Sequence, residues 1–316
     1  MIDAALIGLG RWGRALFEAV QGKSERMRFV CAFDPDAAGQ RYAADHDLPT
    51  VQSFGAALSH RGVHAIVLAT PHSLHRAQVL TAAQAGKHVF CEKPLALTVE
   101  DARDMIDACR AAGVVLAVGH NRRFWPSMVR LRQLASGGEL GRLLHVEGHN
   151  SNENSNRVSG GWRTLDSESP GGGLTGSGLH VLDAFVSLLG PVRRVKAQLL
   201  SYRKDIPPLD AMSALYEFEN GCSALLATVR ATPFFWRVHV FGTGGSAEVL
   251  GETELVLRMS GQPPRRIALD PLDSVRAELD AFGAAVEGGP AYPIGEADML
   301  ATVSGFQQTV AALAAR

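Results

Sequence analysis

The sequence predicts an α/β protein in two parts: an N-terminal doubly wound domain on a parallel sheet, then an α+β domain built on antiparallel strands. Three observations predict it. Up to about residue 120, short apolar runs alternate with longer amphipathic stretches. After residue 122, strand signals follow one another with hairpin turns between them. At 316 residues the chain exceeds what one hydrophobic core ordinarily serves. The boundaries drawn on this basis are 1–121 and 122–316.

The first strand is read over residues 4–8 (AALIG), and the helix after it over 14–21. A second strand covers 29–33 (FVCAF), with a helix over 36–46. A third covers 65–70 (AIVLAT), with a helix over 73–85. A short strand follows at 88–91, and a helix begins at Thr98, with Asp101 in the capping-box position. The last strand of this part is 114–118 (VVLAV). Strands apolar on both faces and spaced by helices belong to a parallel sheet covered on each side.

In the second part, residues 143–149 alternate and read as a strand, and 174–189 as a helix ending at Gly190-Pro191. Residues 215–219 and 223–229 flank Asn220-Gly221, a strong hairpin signal. Residues 238–241 and 247–250 flank Gly244-Gly245, a second one. Helical stretches close the chain at 273–286 and 295–314.

Composition narrows the class of function. The formal net charge is -1 and charged residues make up 20%, so neither a nucleic-acid surface nor a polybasic membrane patch is expected. The four cysteines, Cys31, Cys91, Cys109 and Cys222, are scattered without a CxxC pair. That argues against a disulfide framework or a metal site and for a reducing, cytoplasmic setting. The first residues carry no basic segment ahead of an apolar one, so no secretory signal is expected. No run reaches the roughly 18 apolar residues of a membrane span.

Four motifs carry the chemistry. Gly8-Leu9-Gly10-Arg11-Trp12-Gly13 follows a strand and opens a helix, the setting of a dinucleotide-binding Rossmann loop. Gly8 permits the tight turn, Gly10 lets a pyrophosphate approach the backbone, and Gly13 lets helix and strand pack closely. Asp34, at the end of the second strand, stands where the adenosine ribose arrives; a carboxylate there accepts from the ribose hydroxyls and repels a 2′-phosphate. A turn or capping aspartate is the plainer alternative. Glu92-Lys93-Pro94 follows the strand at 88–91, and Lys93 there is a candidate acid or base, although a Lys-Pro step alone is usually a surface turn. Gly171-Gly172-Gly173 runs into an apolar helix on which His180 and Asp183, three apart, share a face.

These motifs, with Thr70-Pro71-His72-Ser73-Leu74-His75, occur in the order typical of the Gfo/Idh/MocA oxidoreductases, and the chain resembles that family along essentially its whole length. The resemblance implies an N-terminal Rossmann domain and a C-terminal domain with a large, mostly antiparallel open sheet. It implies bound NAD or NADP, and Asp34 favours NAD. It also implies a homodimer or homotetramer joined through the sheet, and a small-molecule substrate: a sugar, polyol or related hydroxy compound. By position, Lys93 matches the lysine at the substrate hydroxyl and nicotinamide end, and His180 the proton acceptor. Thr70, Pro71 and His72 match the loop beside the nicotinamide ribose. Arg11, Trp12, His75 and Glu92 fall with the cofactor set. Arg123 matches an Arg-Phe step at the domain junction and, with Asn150, Trp162, Gly176 and His180, is assigned to substrate. Gly176 departs from the pattern, which often has aspartate four residues before the histidine. The resemblance also covers regulators that bind cofactor without turnover, and lyases or glycosidases that hold NAD tightly for transient oxidation. The presence of both Lys93 and His180 favours catalysis.

Overall fold

The computed structural model describes residues 1–152, 161–201, 210–230 and 232–315. The chain divides into two compact units: Met1–Asn121 with Asp273–Met299, and Arg122–Leu272 with the chain from Leu300 onward.

The first unit opens with β1 (Ile2–Ile7), α1 (Arg11–Val20), β2 (Met27–Phe33), α2 (Ala37–Asp45) and α3 (Phe54–Ser59). It continues with β3 (Ala65–Leu68), a 3-10 turn at His72–Leu74, α4 (His75–Gln84), β4 (His88–Glu92), α5 (Val99–Ala112) and β5 (Leu116–Gly119). The strands form one sheet in the order β2-β1-β3-β4-β5, all pairs parallel. Ala4 to Leu6 and Ala65 to Leu68 are wholly buried, as strands with helices on both faces must be. The strand order reverses between β1 and β3, and in such sheets ligands bind beyond the carboxyl ends of the strands at that crevice. α5 starts as its sequence indicates, Thr98 accepting the Asp101 N–H at 3.1 Å, and ends at Gly113 with φ +66°. α3 escaped the sequence reading because its six residues are too few to display a helical period.

The second unit contains α6 (Pro126–Ser136), β6 (Leu143–Asn152), a π-helical turn at Leu174–Gly178 and α7 (Leu179–Leu189). Seven strands follow: β7 (Val192–Ser201), β8 (Asp210–Phe218), β9 (Ser223–Arg230), β10 (Phe235–Gly242), β11 (Gly245–Leu250), β12 (Glu254–Met259) and β13 (Arg265–Ala268). α8 (Ser274–Val286) and α9 (Glu296–Ala314) complete the chain. The sheet order is β13-β12-β11-β10-β6-β9-β8-β7, antiparallel throughout except for β6 against β9. Both predicted hairpins form, with Leu215 opposite Leu225 across Gly221 (φ +84°) and Phe241 opposite Ser246. One face is packed: Gly148 has no side chain because a Cβ there would fall on Val181 and Phe185 of α7. Tyr216 on that face reaches Thr309 of α9 at 2.9 Å.

The position of α8 corrects the boundary drawn from the sequence, which placed everything after residue 122 in the second part. Asp273–Met299 belongs to the first unit. α8 buries Leu279 and Phe282, and Phe282 meets Phe90 of β4 edge-on at 5.8 Å. An apolar stripe shows that a helix must be covered; it does not show which sheet covers it.

Candidate active site

In the first unit the loop leaving β1 is shaped by its glycines. Gly8 has φ +92°, and a Cβ there would stand 2.6 Å from the Ala69 carbonyl oxygen. Gly13 lies on the Gly8 carbonyl, which any side chain would overlap. At Gly10 a Cβ would meet no described atom within 4 Å, so the backbone is open to an approaching group. Gly10 is also the N-cap of α1, and no described side chain caps that terminus, leaving the first-turn N–H groups around Arg11, Trp12 and Gly13 for a ligand. The Trp12 indole N–H is buried without a partner among the described residues. This cradle fits the pyrophosphate of a dinucleotide. Asp34 lies beside this loop. Its Oδ2 accepts the Leu9 N–H at 2.5 Å and its Oδ1 the Asp36 N–H at 2.7 Å.

Beyond β3, Thr70 is buried and donates to Gln78 Oε1 at 2.6 Å, while Pro71 and His72 are half-buried. His75 is wholly buried. Its Nδ1 lies 2.9 Å from the Pro94 carbonyl and 3.3 Å from that of Leu95, and its Nε2 lies 3.2 Å from that of Thr70. Both ring nitrogens therefore face backbone carbonyls, and His75 joins the loop after β3 to the loop after β4. Besides the cofactor role expected of it from the sequence, His75 braces these two loops. In the second loop the Lys93–Pro94 peptide is cis, Lys93 is half-buried, and its N–H donates to Glu92 Oε2 at 3.2 Å. Gly119, which no motif marks, pairs in register with Glu92, and a Cβ there would come within 2.5 Å of Glu92 Oε1. Only the strand pairing brings these two residues together.

In the second unit the glycine-rich run enters α7 through the π turn, after Gly171 (φ +76°) and Gly172 (φ +61°) take left-handed conformations. Such turns recur at functional sites. Asn150, wholly buried on β6, donates from Nδ2 to the Ser177 carbonyl at 2.8 Å, and Asn152 donates to the Ser177 hydroxyl at 3.1 Å. Asn150, assigned to substrate from the sequence, thus holds the π turn. Gly176 is exposed at its tip, and a Cβ there would meet no described atom within 4 Å. His180 is 8% exposed. One turn on, Asp183 takes the guanidinium of Arg123 side-on, with contacts of 2.8 to 3.1 Å and both side chains almost fully buried. Arg123, also assigned to substrate, is bound to that carboxylate. Its neighbour Arg122 lies over the rings of Trp236, Trp125 and Phe234 at 4.4, 5.0 and 5.7 Å, and burial pushes its guanidinium down to about 9. Trp162, in a 3-10 turn, is half-buried with the Arg163 guanidinium 4.1 Å over its ring. Residues 153–160, between Asn150 and Trp162, lie outside the described residues.

No group of three or more His, Cys, Asp or Glu side chains that could hold a metal occurs among the described residues, and no described helix is long and apolar enough to cross a membrane. The four cysteines are buried and unbonded to one another, and burial pushes the thiols of Cys31 and Cys109 up to about 11.

Comparison with known proteins agrees with this geometry. Residues 2–120 match the oxidoreductase family with an NAD-binding Rossmann fold, and residues 128–248 match the GFO/IDH/MocA C-terminal domain. The chain is 31% identical to 2,7-anhydro-N-acetylneuraminate hydratase of Escherichia coli over 83% of its own length and 71% of that protein's. It is 30% identical to 1,5-anhydro-D-fructose reductase of Ensifer adhaerens, over 79% of its length and 78% of that protein's. The solved structure of levoglucosan dehydrogenase with NADH and levoglucosan superposes with a TM-score of 0.87 at 23% identity, covering 99% of this chain and 97% of that one. On the glycine cradle and these matches, the chain belongs to the Gfo/Idh/MocA family of oxidoreductases.

Proposed function

We propose that the protein is an NAD-dependent dehydrogenase or reductase of a sugar, polyol or related hydroxy compound. The observation that supports it best is the glycine cradle, with Asp34 beside it and Glu92-Lys93 at the carboxyl end of a strand in the same parallel sheet. Bound NAD supplies a hydride acceptor or donor, and that chemistry belongs to the cofactor. The chain holds it and manages the proton. The loop from Gly8 to Gly13 takes the pyrophosphate on backbone N–H groups, and Asp34 accepts from the adenosine ribose. Lys93 and His180 are the two groups assigned to the hydroxyl proton: one holds the hydroxyl, the other accepts its proton as the carbonyl forms. His75 and the Arg123–Asp183 pair keep their loops and helix in place.

Asp34 supports NAD over NADP. A 2′-phosphate brought to an ionised carboxylate is a like-charge contact costing several kcal/mol, and Asp36 adds a second carboxylate two residues on. We also assign the protein to a reducing, cytoplasmic setting, on its four unpaired thiols, and to a homodimer or homotetramer through the open sheet.

The test is turnover of the purified protein on a panel of sugars, polyols and sugar acids, followed by NADH absorbance. Lys93→Met and His180→Ala are expected to lower kcat by about 10²- to 10⁴-fold with NAD affinity nearly unchanged. Near-normal turnover in either variant removes that residue from the mechanism. A second reading is favoured by the hydratase among the relatives. Adding water is redox-neutral, so a cofactor serving it would be oxidised and reduced within one turnover. Product forming from an anhydro-sugar with no net NADH signal would select that reading.

A further inference from the structure

We propose that Gly39, in the first turn of α2, is a specificity-determining residue for the cofactor: its missing side chain seats the Asp34 carboxylate. The inference rests on the NAD reading above and names a residue that neither a motif nor the glycine-rich loop marks.

α2 spans nine residues and buries only Gly39 and Ala43. Glycine is among the poorest helix formers, so its place in a short helix calls for a local reason. A Cβ on Gly39 would stand 2.5 Å from Asp34 Cγ, 2.7 Å from Oδ2 and 2.8 Å from its Cβ. At Gly8 and Gly13 the obstructing atoms are backbone, and a side chain there would break the turn. At Gly39 they belong to one aspartate side chain, its Cβ included, so a side chain at 39 displaces the carboxylate and asks only a slight backbone shift at Asp34 besides.

Its present seat is closely defined. The Asp34 carboxylate takes one N–H from the glycine-rich loop, at Leu9, and one from the approach to α2, at Asp36. Each oxygen keeps a further lone pair for a ribose hydroxyl. The Asp36 side chain in turn accepts the Ala38 N–H at 3.2 Å. The N-terminus of α2 would otherwise attract a 2′-phosphate, and it is occupied by the protein's own carboxylates. Arg14, a cation able to draw a phosphate, donates to the carbonyls of Leu9 (2.9 Å) and Ala38 (3.0 Å) and stacks 4.6 Å over Tyr42. It ties the loop to the first turn of α2.

Calorimetric titration of the full chain with NAD and with NADP tests this without turnover. The wild type is expected to bind NAD more tightly. Gly39→Ala is expected to weaken NAD and narrow the ratio of the two dissociation constants by about tenfold or more, the worth of displaced hydrogen bonds to a charged group. In an Asp34→Gly background, which removes the Asp34 Cβ together with the carboxylate, Gly39→Ala should change the ratio by less than about twofold, because the two residues act through one contact. A Gly39→Ala protein that melts normally and keeps the wild-type ratio overturns the proposal. If Gly39→Ala does not fold, the Asp34→Gly/Gly39→Ala double variant must fold and bind like Asp34→Gly alone; its failure to do so also overturns the proposal. A wild type that prefers NADP overturns the NAD reading itself, a result distinguishable from all of these.

Discussion

Gly176 departs from the aspartate that the family resemblance implies one turn before His180. The tip of the π turn is exposed and no described atom would touch a Cβ placed there, so steric need does not account for the glycine. An aspartate at that point could hold a substrate hydroxyl and raise the basicity of His180. Its absence leaves room beside Thr175 and Ser177, and a substrate with a bulkier or charged substituent would use that room. Gly176→Asp is therefore expected to weaken the true substrate, read as a higher KM, while NAD binding is retained. Higher turnover on that substrate would mean the glycine only impairs the site. Gly119 offers the contrasting case. Its Cβ would displace the Glu92 carboxylate next to Lys93, so Gly119→Ala should lower kcat and weaken NAD together, as measured by steady-state kinetics beside calorimetry.

At the scale of the element, α7 and the π turn before it form one part, held at two points. Asn150 takes the Ser177 carbonyl at the start, and Arg123 takes Asp183 one turn beyond His180. The ion pair is nearly free of solvent, so removing one partner strands a buried charge, at a cost of about 3–5 kcal/mol. Asp183→Ala should lower the unfolding free energy by an amount of that order in urea. Replacing both partners with apolar residues, Arg123→Met with Asp183→Leu, should recover much of the loss. A silent Asp183→Ala would mean the pair does not anchor the helix. The two residues are 60 positions apart, and the sequence marked each for a different reason: Arg123 for its Arg-Phe step, Asp183 for its spacing from His180. The bond between them depends on the return of the chain.

At the scale of the whole molecule, the second unit's sheet has one face under helices and one rich in side chains that reach solvent. Leu215, Leu200 and Phe235 on the latter are 57%, 49% and 46% exposed. A second copy of the chain is the expected cover. Light scattering should find a dimer or tetramer at micromolar concentration, and Leu215→Asp should shift it towards monomer; a stable wild-type monomer would refute this. The same face carries an ionic cluster, Arg237 to Glu147 and Glu248, and Arg258 to Glu248, around the buried His239. Burial holds His239 down to about 4, with Glu248 opposing and Arg237 and Arg258 reinforcing the shift. The folded state then binds fewer protons than the unfolded state between the ordinary histidine value, near 6.5, and 4. Stability should be full above that range and fall as pH drops through it, by on the order of 2 kcal/mol once solvent screening is allowed for. Thermal melts of His239→Gln against wild type should show a shallower fall over this range in the variant; parallel curves would exclude His239 as the cause.

The fold class and the position of the cofactor loop were legible in the sequence because both are set by local features. β1 and β3 are apolar on both faces, the glycines of residues 8–13 follow a strand, and Asn220-Gly221 sits between two alternating runs. Each is decided within about a dozen neighbouring residues. The sequence could not show that α8 crosses back to the first unit, that His75 braces two loops, or that Arg123 and Asn150 hold α7 and its π turn. Nor did it show that Gly39 and Gly119 make room for the carboxylates of Asp34 and Glu92. Those are contacts between segments brought together only by strand order and helix packing. A residue type and its spacing state what chemistry is available; the partner that uses it is chosen by tertiary distance.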